Sequence, residues 1–150
     1  MKSFKILIFI FFAHTLFGCM DKIDNRYLMV KNNSEKTIYS IISPDNQMVT
    51  SGYYAEFQGD ENKYIKTNQI DKFIFEPIKP TESATNHDRP MYWDISFEQI
   101  EDKKIRLFIV PQDSVDKYGW FKIFKKNVYA KKYTLSLKDL ESKNWEIVYQ

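Results

Sequence analysis

The sequence predicts an all-β, or at least β-rich, domain: an antiparallel sandwich that carries one or two short helices. Three observations point that way. Apolar residues alternate with polar ones at Trp93, Ile95, Phe97, at Ile105, Leu107, Ile109, and at Trp145, Ile147, Tyr149. Alternation at period two is what a strand with one buried face requires. Turn-prone clusters separate these runs, and neither a heptad nor an internal repeat appears.

In chain order, Tyr27 to Val30 and Ile38 to Ile42 flank the polar segment Lys31 to Lys36, whose Asn32-Asn33-Ser34 suits a turn; the pair predicts a hairpin. Pro44-Asp45-Asn46 ends its second strand. After a polar stretch containing Gly52 and Gly59, Phe73-Ile74-Phe75 forms a short apolar run closed by Pro77, and residues 77–90 have loop composition. Trp93 to Phe97 then predicts a half-buried strand with Asp94, Ser96 and Glu98 on its wet face. Ile105 to Val110 is its expected hairpin partner. Two such strands need a facing layer, which is why a sheet packed on a sheet is the economical architecture.

The period then changes. Val115, Tyr118, Trp120, Ile123 and Phe124 recur at helical spacing, with Asp113 or Ser114 as the expected cap and Gly119 as a kink between two turns. Tyr133 to Leu137 alternates once more, Lys138 to Ser142 suits a single helical turn, and a last strand runs to Tyr149.

Ahead of this domain lies a different kind of segment. Lys2 and Lys5 precede an apolar run from Ile6, which ends in Leu16-Phe17-Gly18-Cys19. The run is shorter than the roughly 20 apolar residues that span a bilayer. This pattern resembles the signal peptide of a bacterial lipoprotein, residues 1–18, in which Cys19 is lipidated and becomes the first residue of the mature chain. The resemblance implies attachment to a bacterial membrane, the outer membrane being the expected one, through lipid on Cys19. Several acyl chains, at about 0.8 kcal/mol per buried methylene, make such an anchor effectively permanent. Residues 19–26 then form a short tether to a single domain at 27–150. Asp21 and Asp24 loosely resemble the acidic export signal of Bacteroidetes surface lipoproteins, but Lys22 interrupts it, so both membrane faces stay open.

Composition removes several chemistries. Cys19 is the only cysteine, so a lipidated chain has no disulfide, thiolate metal site or cysteine nucleophile. His87, beside Asp88 and Arg89, is the only histidine beyond the leader, and one histidine cannot build a multi-histidine zinc site. No Gly-x-Ser-x-Gly, His-Glu-x-x-His or phosphate-loop motif occurs. No metal or cofactor is expected. The leader carries two lysines and no acid, so the mature chain balances 20 basic against 20 acidic side chains.

That balance hides an asymmetry. Glu35 to Asp102 holds 6 basic and 13 acidic residues, whereas Lys103 to Lys132 holds 9 basic and 2 acidic ones, interleaved with Tyr118, Trp120, Phe121, Phe124 and Tyr129. Nucleic-acid binders use such mixtures, but an envelope location argues against that partner, and a solvated, self-complementary surface is the simpler expectation. An acidic protein face or anionic headgroups are the other partners it suits.

The C-terminal third carries a second resemblance. Trp120-Phe121-Lys122-Ile123, Tyr133-Thr134-Leu135, Asp139-Leu140 and Asn144-Trp145-Glu146-Ile147-Val148-Tyr149 are similar to the ending of many small, uncharacterised lipoproteins of Bacteroidetes, with Gln150 where those usually have proline. It implies an envelope lipoprotein and no particular activity. Asp113-Ser114-Val115 resembles the O-glycosylation acceptor of Bacteroidetes envelope proteins, marking Ser114; helix capping accounts for the same residues.

For a ligand, Trp120 and Tyr118 are the candidate stacking residues, because Trp120 follows Gly119 outside any clean strand; filling the core is the competing role for every tryptophan. Acid pairs are the only plausible catalytic equipment, and Asp94, Glu98 and Glu101 lie near one another as a glycosidase pair would need, yet Asp94 and Glu98 fall on an expected solvent face. The expected role is therefore non-catalytic: a lipid-anchored binding or accessory protein for a protein or glycan, with no nucleic acid. An inhibitor or immunity-type lipoprotein that neutralises an enzyme or toxin is the alternative, and an acid-pair hydrolase the third.

Overall fold

The computed structural model describes residues 24–48, 76–85 and 93–150. The leader with Cys19, the run Phe73 to Phe75, Gly52, Gly59 and His87 lie outside them. The described chain is a β-rich mixed α/β fold with two three-stranded sheets and three helices.

The first sheet has the order β3-β1-β6, where β1 is Met29–Asn32, β3 is Ser83–Thr85 and β6 is Glu146–Tyr149. β1 runs antiparallel to β3 and parallel to β6, with Val30 opposite both Ala84 and Ile147. An all-antiparallel arrangement was expected, and the β1–β6 pair corrects it. Parallel neighbours need a long crossover, and here nearly the whole domain supplies it.

The second sheet has the order β2-β4-β5, from β2 (Ile38–Ser43), β4 (Lys104–Pro111) and β5 (Lys131–Ser136), all antiparallel. The expected hairpin between Tyr27–Val30 and Ile38–Ile42 does not form, because β1 and β2 belong to different sheets. Asn32 holds the turn between them. It is 0% exposed; its Nδ2 donates to the carbonyls of Lys36 and Ile78, both at 2.8 Å, and its Oδ1 accepts from the Ser34 amide at 3.0 Å and hydroxyl at 2.7 Å. The side chain thus ties the end of β1 to the turn and to residue 78, which bridges Ile38 of β2. A buried amide with every donor and acceptor used is stabilising; with one partner removed it becomes costly.

β4 is the central strand of its sheet. Ile105, Leu107 and Ile109 face one way, as expected, and enter a core cluster with Leu28, Val30 and Ile147 of the other sheet region. The opposite face is buried too. Phe108 and Val110 pack with Tyr39 and Ile41 against Val115, Trp120 and Ile123 of α2 (Gln112–Lys126). A strand covered on both sides reads as a continuous apolar run, which explains Ile105 to Val110 better than a hairpin edge does.

The partner expected for that strand is instead a helix, α1 (Trp93–Gln99). Trp93 and Phe97, four apart, are buried in the first cluster, and their rings lie 6.2 Å apart. Ile95, which a strand would have turned inward, is 54% exposed. Asp24 helps to fix the helix start, its carboxylate accepting the Trp93 amide at 3.2 Å and so satisfying one of the donors that a helix N-terminus leaves open.

α2 and α3 (Leu137–Ser142) match the expected helical segments more closely. Gly119 breaks α2 with φ 68° and ψ 157°, a backbone that glycine adopts at low cost. The expected cap does not hold: Pro111 occupies the N-cap position with no side-chain bond, so Asp113 and Ser114 lie inside the first turn. Proline already has the extended backbone that a cap needs, which starts the helix earlier. In α3, Ser136 and Asp139 form a reciprocal capping box. Hydrogen bonds from Ser136 hold the Asp139 carboxyl below its ordinary range.

Candidate binding surface

α2 lies across the β2–β4 face. Its buried side, Val115, Trp120 and Ile123, lies on the β2–β4 face, where the Tyr39 ring meets Trp120 edge-on at 5.0 Å. The C-terminus closes on Asn127 in the left-handed region, whose amide reaches the carbonyls of Ile123 and Phe124. The outer side carries Lys117, Lys122, Lys125 and Lys126, all exposed; on β5, Lys132, opposite Phe108, points to the same side of the sheet, and Lys131, opposite Ile109, points to the other. Lys125 and Lys126 sit in the last turn, where the helix dipole favours positive charge.

Lys117 lies over Tyr118 at 5.0 Å and Lys125 over Phe121 at 5.3 Å, while on the other side of the sheet Lys131 lies over Tyr133 at 5.0 Å. Such contacts are worth about 0.5–1 kcal/mol at exposed sites, so they orient the ammonium groups without neutralising them. None of the six lysines forms an ion pair with a carboxylate among the described residues. Tyr118 and Tyr129 expose 39% and 37% of their surfaces beside them.

Of the two candidate stacking residues, the structure therefore separates one from the other. Tyr118 lies on this face, whereas Trp120 is 4% exposed and presents no free ring surface. Ser114 is half-buried in the first turn. Asp94, Glu98 and Glu101 share the outer side of α1 and the turn after it, and Asp94 is already engaged by Arg26 at 2.8 Å.

Arg26 organises the opposite end of the domain. Its guanidinium grips Asp24 in a two-pronged fork at 2.8 and 2.6 Å, lies 3.8 Å from Glu141 of α3 and stacks 5.0 Å from the Trp145 ring. The Trp93 indole donates to the Arg26 carbonyl at 2.8 Å. The hydrogen bonds from Arg26 hold the Asp24 carboxyl down at about 2, and Asp24 raises Arg26 in return. Sequence reading gave this arginine no role. The signal was the charge triplet Asp24, Arg26 and Asp94, but the separation of 68 positions between Arg26 and Asp94 hides the contact.

An open cavity of about 380 Å³ lies where Pro44, Asp45 and Asn46 face Gln99, Ile100, Glu101 and Asp102. Arg106 forms part of its wall, and its guanidinium is taken up by the Pro44 and Lys104 carbonyls, the Asn46 amide and Asp102. Asp102 is held below the usual carboxylate range by that arginine. The arrangement fastens the 44–48 loop to β4. Among the described residues no cluster of histidine, cysteine and acidic side chains is set to hold a metal, and no helix is long and apolar enough to cross a membrane.

These features define a β-rich mixed α/β domain with one cation-rich aromatic face. Comparison with protein families, curated proteins and solved structures gives no match to this chain.

Proposed function

We propose that this chain is a lipid-anchored protein of a bacterial envelope with a non-catalytic binding role, holding an acidic protein or glycan at the membrane. The observation that carries the binding role is the α2 side of the sheet, where Lys117, Lys122, Lys125, Lys126 and Lys132 form no ion pair with a carboxylate among the described residues and Lys117 lies over the exposed Tyr118. Charge that a fold does not neutralise internally remains for steering and holding a partner of opposite sign. The anchor rests on the Leu16-to-Cys19 motif. In this reading the two sheets stack as a sandwich, which the residues that both contribute to one core cluster support.

Acyl-chain labelling followed by intact-mass measurement tests the anchor. Wild-type protein should run in the membrane fraction with the leader removed and the lipid mass on Cys19. The Cys19→Ser variant should lose both the mass and the membrane fraction. Unmodified Cys19 in wild-type protein would sink this reading. An immunity-type role is the second reading, supported by the opposed acidic and basic segments, and it requires a single protein partner recovered by crosslinking.

A further inference from the structure

We infer that the α2–β5 face binds a polyanionic glycan, one bearing carboxylate, sulfate or phosphate groups along a sugar chain, and that this face is turned away from the bilayer. The inference rests on the lipid-anchor reading for its location and on the structure for its chemistry.

Geometry argues against anionic headgroups as the occupant. The Arg26 clamp fixes the chain from Asp24 onward to α1 and α3. Only Met20 to Ile23 then separate the clamp from Cys19, and four residues reach at most ~14 Å. Trp93, bonded to the Arg26 carbonyl, belongs to the core cluster on one face of the β2-β4-β5 sheet, whereas α2 packs on the other. One layer spacing on each side of that sheet puts α2 about 20 Å from the clamp. A tether of this reach cannot hold the lipid in the bilayer while α2 lies flat on it.

Chemistry then selects among outward-facing partners. Protein interfaces are depleted in lysine at their centres, and five lysines dispersed over a helix and a strand make a poor dry contact. A hydrated polyanion suits them. Lys122, Lys125 and Lys126 lie three and four positions apart along one side of α2, and Lys132 of β5, opposite Phe108, lies on the same side of the sheet. Sugar rings add an apolar C–H face, for which the exposed Tyr118 and Tyr129 rings are the partners. Nucleic acid shares the charge pattern but not the envelope location.

The experiment uses the full lipidated protein in detergent micelles, with polygalacturonate as the probe. Neutral dextran, oligothymidylate and phosphatidylglycerol vesicles serve as comparators. Polygalacturonate should bind, and raising NaCl from about 50 to about 300 mM should weaken it about tenfold or more, because several charge contacts are lost together. The variant Lys122→Gln/Lys125→Gln/Lys126→Gln should lose about tenfold in affinity with an unchanged circular-dichroism spectrum, and Tyr118→Ala should lose a few-fold with the salt slope intact. Equal binding of dextran, an unaffected triple variant, tighter binding of oligothymidylate, or vesicle binding that falls in the triple variant and so runs through the lysines rather than the lipid, would each overturn the proposal. Mass spectrometry of the same preparation reports the anchor separately. Lipidated protein that ignores polygalacturonate overturns the glycan face alone, while unlipidated protein that binds it overturns the anchor alone.

Discussion

Two regions of the molecule use the same residue types to opposite ends. Around Arg26, a cation, three carboxylates and two tryptophans close on one another: the guanidinium forks onto Asp24, reaches Asp94 and Glu141, and stacks on Trp145, whose ring lies 5.1 Å from that of Trp93. On the α2 side of the sheet, Lys117, Lys122, Lys125, Lys126 and Lys132 form no ion pair with a carboxylate among the described residues. The difference lies in the pairing. Where charges are satisfied internally the region holds the fold together, and where they are not the charge is open to a partner.

Variants that break the closed region should have the larger effects on stability. Trp93→Ala removes a buried ring from the core and the bond to the Arg26 carbonyl together, and should cost about 3–5 kcal/mol in urea unfolding. Arg26→Ala should cost about 2 kcal/mol, because it leaves Asp24, Asp94 and Glu141 facing one another, although partial exposure softens the repulsion. Arg26→Lys should recover only part of the loss, since an ammonium cannot reproduce the fork.

The intermediate effects tell backbone from charge. Gly119→Ala should destabilise by about 1 kcal/mol: no atom lies within 4 Å of an added Cβ, so the cost comes from the positive φ alone. Asp24 gives a pH signature of similar size. Its carboxyl is held at about 2 against an ordinary 3.8, so its contribution is complete above about pH 4 and is lost as the pH falls through 2. After screening this is worth about 1 kcal/mol, and Asp24→Asn should flatten stability against pH over that window.

On the open face the smallest effect is expected. Lys122→Gln and Lys125→Gln should each move stability by about 0.5 kcal/mol or less while changing polyanion binding. A larger loss would show that these lysines support the fold after all, and would erase the contrast with Arg26.

Several elements were legible without coordinates. The helical spacing from Val115 to Phe124, the break at Gly119, the turn at Lys138 to Ser142 and the last strand all follow from local patterns that the tertiary fold leaves in place. Trp93 to Phe97 was not legible, for a specific reason. Positions i and i+4 fall on one face of both a strand and a helix, so Trp93 and Phe97 satisfy either period and only Ile95 distinguishes them. In the candidate face, the lysine-rich segment and Tyr118 were visible, and core filling was already the competing role for Trp120; what was not visible is its partner, Tyr39 of a distant strand.

By itself the sequence determined the period of most elements, the segregation of acid from base, and the single thiol that excludes disulfides from this domain. These are properties of neighbours along the chain. Only the tertiary structure decided that β1 leaves β2 to pair with β6, that β4 is buried on both faces, and that Arg26 is consumed internally while the α2 lysines are not. Each of those outcomes joins residues tens of positions apart, and the free energy of such contacts belongs to the packed chain rather than to any local segment.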